Sequence, residues 1–140
     1  MKRKASAVWN GGLKDGNGKM SSDSGVLSDT QFSFSTRFEN GIGTNPEELI
    51  AAAHAGCFSM AFSAELEKAG FTAESVSTNS TLTFEKTDAG FTITTIHLDV
   101  VASVPGIDAE TFANLANGAK AGCPVSRALK AEITLDAKLA

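Results

Sequence analysis

Apolar and polar positions change period several times along the chain, and each change marks a predicted element. Strand-like pieces at residues 5–9 and 32–38 are separated by Gly11-Gly12, Asp15-Gly16 and Asn17-Gly18. Glycine at such positions favours turns, so the opening reads as a β-meander. Thr44-Asn45-Pro46-Glu47-Glu48 then predicts a helix start. Asn45 can cap, Pro46 fits the first helical position, and the two acids complement the helix dipole. From Leu49 the sequence is apolar on almost every side, through Ile50, Cys57, Phe58, Met60 and Phe62, and it turns charged only at Glu65, Glu67 and Lys68. A helix apolar all round belongs in a core.

Gly70 supplies a stop. Beyond it Val76, Thr78, Ser80, Leu82 and Phe84 share one face and Ser77, Asn79, Thr81, Thr83 and Glu85 the other, the alternation of a strand with one wet face. Asp88-Ala89-Gly90 is a turn. The next run has apolar residues at 91 and 93 but then at 96, 98 and 100, a change of phase that predicts a hairpin with a bulge. Asp108 can cap a helix carrying Phe112, Leu115, Ala116 and Ala119 at helical spacing and ending at Gly122. A short helix follows from Cys123-Pro124, burying Val125, Ala128 and Leu129. The chain closes on a strand in which Ile133, Leu135, Ala137 and Leu139 alternate with polar residues. The predicted order is βββ, α, ββ, αα, β. Strands grouped without regular βαβ alternation imply an α+β fold, one domain over residues 1–140, with mainly antiparallel sheet packed against helices.

Composition narrows the function. With 12 basic against 16 acidic residues the net charge is −4, which makes nucleic acid an unfavourable partner. The basic Lys2-Arg3-Lys4 start leads into no apolar export segment, and no unbroken apolar run approaches the roughly 20 residues that cross a bilayer. The expectation is a cytoplasmic protein without a membrane partner. In that reducing compartment a permanent bridge between the two cysteines is disfavoured, whereas a transient, working one is not.

Cys57 lies deep in the apolar helix, where the plain reading is a small buried hydrophobe. Cys123 precedes a proline at a helix start, near the positive end of the dipole, which favours thiolate over thiol. About three turns into its own helix, Cys57 gets little such help, so a low pKa there requires a cation from elsewhere, with Arg37 and Arg127 the candidates. His54, one turn before Cys57, invites a Cys-His nucleophile, but packing with one satisfied nitrogen is the better reading. Together with His97, the two histidines and two distant cysteines show none of the close spacings of a zinc site, so no metal is expected. Gly16-Asn17-Gly18-Lys19 lacks phosphate-loop spacing and reads as a turn. Phe38, Phe58 and Phe62 are read first as core and second as lining for an apolar ligand.

Residues 44–50 (Thr-Asn-Pro-Glu-Glu-Leu-Ile), 52–60 (Ala-Ala-His-Ala-Gly-Cys-Phe-Ser-Met) and 121–126 (Ala-Gly-Cys-Pro-Val-Ser) closely resemble the OsmC subfamily of the OsmC/Ohr proteins. The likeness extends to Arg37-Phe38-Glu39, to residues 104–108 and to the ending at residues 130–136, and so spans nearly the whole chain. It implies an OsmC-like α/β subunit in an intertwined homodimer, with the sheets packed on a buried central helix. It further implies reduction of organic hydroperoxides, and less efficiently of hydrogen peroxide, with no cofactor. The reductant is then an external dithiol, lipoylated protein being known for similar proteins. By motif, Cys57 is the peroxidatic cysteine and Cys123 the resolving one, with Glu47 and Arg37 placed at the peroxidatic sulfur. Taken without the resemblance, Glu47 is a helix-start acid and Glu48 a capping-box partner of Asn45.

The electrostatic reading leans toward Cys123 as the thiolate. Roles follow the resemblance, since a buried thiolate held by an ion network can be tuned more strongly than one at a helix tip. Glu47 and Cys57 are ten residues apart, about 15 Å along one helix, so a site containing both implies sharing between subunits. As a strand residue Arg37 falls in phase with Ser33 and Ser35 and would be exposed in a lone subunit. Two other functions fit the same cysteines: a module binding a small hydrophobic ligand, and a redox sensor.

Overall fold

The computed structural model describes all 140 residues, in two compact units, Met1–Leu49 and Ile50–Ala140. The first holds an antiparallel meander of β1 (Ala5–Asn10), β2 (Asn17–Ser22) and β3 (Thr30–Phe32) in that order. At its centre Gly18 lies beneath the rings of Trp9 and Phe32, whose centroids are 5.4 Å apart. A Cβ there would stand 2.5 Å from Phe32 Cε1 and 2.8 Å from Trp9 Cε3, so only glycine lets the two rings close over the strand.

The strand expected over residues 32–38 stops at Phe32, and Phe34–Phe38 forms a short helix, α1. Ser33 decides this. Its hydroxyl accepts the Thr36 N–H while Thr36 Oγ1 accepts the Ser33 N–H, a reciprocal capping box. Side-chain hydrogen bonds to the local backbone thus outweigh the alternation of Phe and Ser that had suggested a strand.

Helix α2 (Pro46–Lys68) begins as its sequence requires. Asn45 Oδ1 accepts the Glu48 N–H at 2.8 Å, and Asn45 Nδ2 donates to the Thr36 carbonyl at 2.9 Å, tying the helix start to α1. Its C-terminus is a Schellman turn, with the Phe71 N–H on Leu66 O, the Gly70 N–H on Glu67 O, and Gly70 at φ +89°. By length and composition α2 could cross a bilayer, although charged residues at both ends interrupt its apolar run. Its Phe58, Phe62 and Leu66 stripe lies wholly inside a protein core, as in a core helix.

In the second unit β4 (Ser75–Thr87), β5 (Gly90–Ser103) and β6 (Glu132–Leu139) form one sheet. The predicted bulge is present: Thr83 pairs with Thr95 and Phe84 with Ile93, so Thr94 is the extra residue. That single insertion brings Ile96, Leu98, Val100 and Ala102 onto the inner face beside Leu82, Ser80, Thr78 and Val76. Strand β6 pairs with β5 in parallel, Ile96 opposite Ile133 and Leu98 opposite Leu135, the one exception to the antiparallel pattern. A parallel return needs a long crossover, which α3 (Ala109–Gly122) and α4 (Pro124–Ala128) supply.

The core of this unit joins the α2 stripe to the inner sheet face and to Phe112, Ala116 and Ala119 of α3. Phe62 sits between Phe58 and Phe112, with centroids 5.8 and 5.3 Å away. Burial of α2 is realised along this stripe, while Met60 on another face stays 77% exposed within the subunit. Because Phe62 is fully buried, Phe62→Ala is expected to cost about 3–5 kcal/mol of unfolding free energy, measured by urea denaturation, through lost transfer energy and an unfilled cavity.

Candidate active site

The sequence-predicted site residues form two pairs, one in each unit. In the first, Arg37 on the last turn of α1 grips Glu47 on the first turn of α2. Arg37 Nε lies 3.0 and 3.2 Å from the two carboxylate oxygens, and Nη2 lies 2.7 Å from Oε1. This is a fork of charge-assisted bonds that fixes the guanidinium plane. The Arg37 side chain keeps 37% of its exposure and Glu47 11%, and Arg37 also stacks on Phe38, 5.3 Å from the ring centroid. Its half-open position comes from the end of a helix rather than from a strand face. Glu48, assigned above to a capping box, accepts from Thr44 Oγ1 while its N–H caps on Asn45.

Beside this pair a cleft of about 260 Å³ is lined by Trp9, Leu13, Phe32, Phe34 and Phe38 together with Arg37. Of the three phenylalanines considered as lining, Phe38 takes that role, and Phe58 and Phe62 are core. The aromatic and leucine walls went unrecognised in the sequence because they come from β1, its following turn and β3. Only the meander collects them.

In the second pair Cys123 Sγ lies 2.8 Å from Cys57 Sγ, both thiols free. Helix α3 ends as Cys123 N–H bonds Ala119 O, and α4 starts at once with Pro124. The buried Cys123 is therefore delivered at a helix junction directly onto the third turn of α2. Burial raises the Cys57 pKa, and its side-chain hydrogen bond with Cys123 raises it further, against a smaller opposing bond from the Val125 backbone. Burial would raise Cys123 too, but bonds from Cys57, from the backbone and hydroxyl of Ser126 and from Val125 outweigh it, and its pKa is lowered. More donors converge on Cys123 than on Cys57, so of the two thiols Cys123 is the one whose ionisation is eased within the subunit.

Ser126, not singled out from the sequence, is the residue that completes this arrangement. Its hydroxyl meets His54, whose Nε2 lies 2.7 Å from Ser126 Oγ. His54 is fully buried with Nδ1 unpartnered, and burial lowers its pKa. One nitrogen is satisfied, as the packing reading expected. On the outer face of the β5–β6 pair, His97, Asp99 and Asp136 place potential ligand atoms within 4.8 Å of one another. There His97 Nε2 is 3.4 and 3.2 Å from the two carboxylates and Nδ1 bonds Thr134, so these groups engage one another directly.

Residues 39–138 match the family model described as OsmC-like protein. The chain is 56% identical over 137 residues to peroxiredoxin OsmC of Escherichia coli, covering 98% of this chain and 96% of that one. It is 29% identical over 123 residues to the organic hydroperoxide resistance protein OhrB of Bacillus subtilis, covering 87% and 88%. The crystal structure of OhrB superposes with a TM-score of 0.70 at 26% identity over 98% of both chains. An OsmC-like protein from Mycoplasma pneumoniae shares the fold, with a TM-score of 0.77 at 17% identity over 99% and 97% of the two chains.

A buried histidine with a lowered pKa leaves a signature in stability. The unfolded chain binds a proton at the ordinary 6.5 while the folded one resists it to lower pH. The contribution of His54 is therefore complete above pH 6.5 and is lost as pH falls from there toward the folded value. Urea midpoints are expected to fall with pH in that window, and His54→Gln should flatten the fall.

Proposed function

The chain belongs to the OsmC-like protein family, and we propose from that premise that it is a cysteine-based peroxidase reducing organic hydroperoxides in stress defence. The observation that carries the mechanism is the 2.8 Å approach of Cys57 and Cys123. A thiolate at Cys57 attacks the outer peroxide oxygen, the O–O bond breaks, and the alcohol leaves. Cys57 is then a sulfenic acid, oxidised by two electrons, and Cys123 attacks its sulfur, releasing water and forming the disulfide. An external dithiol, with lipoylated protein as the proposed class, restores both thiols by exchange.

This assignment requires a thiolate at Cys57, whereas within one subunit burial and the hydrogen bond with Cys123 raise its pKa. A guanidinium about 4 Å away is worth about 4 kcal/mol at an effective dielectric of about 20. Only the difference between its attraction for charge on Cys57 and on Cys123, less the opposing field of Glu47, acts on the choice between the sulfurs, so Arg37 placed nearer Cys57 shifts the charge toward Cys57. Arg37 is pre-oriented by Glu47 and flanked by an apolar cleft that suits the alkyl group of a hydroperoxide. A homodimer supplies the geometry: Arg37 and Glu47 of one subunit meet Cys57 of the other, and the apolar faces of α2 left open in one subunit are covered. The reading is of a single OsmC-like domain working in the cytoplasm.

Turnover of cumene hydroperoxide with a dithiol donor should vanish in Cys57→Ser. In Cys123→Ser, one equivalent of peroxide should leave a sulfenic acid at Cys57, detected by mass spectrometry of the trapped adduct. Unchanged turnover in Cys57→Ser would leave the ligand-binding module instead, and oxidation without sustained turnover would leave the sensor.

Sharing of the site is tested by complementation. Arg37→Ala and Cys57→Ser proteins are each expected to be nearly inactive, yet unfolding, mixing and refolding them together should restore activity, because each mixed dimer contains one intact site. Absence of restoration, with mixed dimers verified by mass, would place Arg37 and Cys57 in the same subunit's site or remove Arg37 from it.

A further inference from the structure

The outer face of the β5–β6 pair carries a convergence of donor atoms remote from the sulfurs. His97 and Asp99 are two apart on β5 and so share that face, and the parallel register sets Asp136 of β6 beside Asp99 and Thr134 beside His97. His97 Nε2 stands 3.4 Å from Asp99 Oδ1 and 3.2 Å from Asp136 Oδ2. One ligand atom from each of the three residues lies within 4.8 Å of the other two. Spacing along the chain gives no sign of the group, because Asp136 arrives from another strand.

Two carboxylates side by side on neighbouring strands repel, and like charges so placed cost sheet stability. No lysine or arginine is in ion-pair contact with either, and the one basic group that reaches both is His97. Its separations are wider than the ~2.7–2.9 Å of a charge-assisted N–H···O bond. They match the edges of a coordination shell instead. With bonds of ~2.1 Å, two ligands at a tetrahedral angle stand ~3.4 Å apart and two at an octahedral right angle ~3.0 Å. The observed 3.4 and 3.2 Å lie at the first value and between the two. The ring is also held for the task. His97 Nδ1 bonds Thr134 Oγ1 at 2.6 Å, and a proton kept there by the hydroxyl oxygen leaves the Nε2 lone pair facing the carboxylates, as a second partner does for a ligating histidine.

We propose that His97, Asp99 and Asp136 form a binding site for a divalent transition-metal ion of the zinc class, which joins β6 to β5. One imidazole nitrogen with two carboxylate oxygens favours such an ion over magnesium or calcium, which take oxygen ligands. The carboxylates are 57% and 69% exposed, so water completes the coordination. The site stands apart from the peroxide chemistry, because its residues face away from the inner sheet face against which α2 and Cys57 pack. Its effect falls on the sheet: an ion held by the folded chain and not by the unfolded one stabilises the fold.

The test titrates the full-length reduced protein with Zn2+, Mg2+ and Ca2+ by isothermal calorimetry, beside His97→Gln and Asp136→Asn variants. One Zn2+ per chain is expected, bound at least about tenfold more weakly by either variant, and Mg2+ and Ca2+ at least about tenfold more weakly than Zn2+ by the unsubstituted protein. Co2+ in place of Zn2+ should give ligand-field bands without the charge-transfer absorption of a thiolate ligand. The chain has two histidines, so nuclear magnetic resonance of the ring nitrogens locates the ion: His97 Nε2 should shift on saturation while His54 stays. That shift is read on the unsubstituted protein and holds its meaning whether or not a variant folds. Zn2+ should also raise the urea midpoint of the unsubstituted protein and leave that of Asp136→Asn unmoved. Thiolate charge transfer with an unmoved His97 would put the ion on the cysteines and overturn the proposal. So would binding unchanged in both variants, Ca2+ bound as tightly as Zn2+, or no binding at micromolar protein. Peroxide turnover does not enter, so the outcome is independent of the roles assigned to Cys57 and Cys123.

Discussion

The contact between the Cys57 and Cys123 sulfurs, made by residues 66 positions apart, depends on how α2 is seated. Phe58, Phe62 and Leu66 lock one stripe of the helix into the inner face of the β4–β5–β6 sheet and against Phe112 of α3. A close-packed interior of this kind does not let a helix slide or rotate without opening voids, so Cys57 stands at a set height and angle. The α3–α4 junction meets it there, because the helix that ends on Ala119 O and the one that begins at Pro124 turn the chain at Cys123 itself. The bulge at Thr94 serves the same end, since without it the inner face of β5 would present its polar residues to α2.

Around this core the charges are disposed as the proposed sharing of the site between subunits would need. Within one subunit the local donors favour negative charge on Cys123, and the cation suited to reverse that preference belongs to a separate ion pair in the other unit. Under that proposal the Cys57 thiolate forms when a partner brings Arg37. The same α2 that carries Cys57 keeps apolar residues such as Met60 outside the subunit's own core, so the faces that would bury on pairing are on the helix that bears the reacting sulfur.

Much of this was legible in residue order. The capped start at Asn45-Pro46, the stop at Gly70, the bulge implied by the phase change after residue 93, the Asp108 cap and the Cys123-Pro124 helix start are all local, short-range physics. The segment around Phe34–Phe38 was not, because alternating Phe and Ser satisfy a strand pattern as well as they do a helix, and two hydrogen bonds between Ser33 and Thr36 choose between them. The parallel pairing of β6 with β5 was equally hidden, since alternation specifies which face a residue shows but not which way its neighbour runs.

By itself the sequence determined the elements, the α+β class, the two cysteines as the chemistry and Arg37 with Glu47 as their candidate helpers. Tertiary structure alone decided that the sulfurs touch, that Arg37 and Glu47 lock together, that residues from β1 and β3 wall a cleft beside them, and that Ser126 bonds His54. The division has one cause. Caps, turns and periodicities are set by neighbours a few residues away, whereas a hydrogen bond between positions 54 and 126 exists only after the sheet and its crossover have closed the intervening chain.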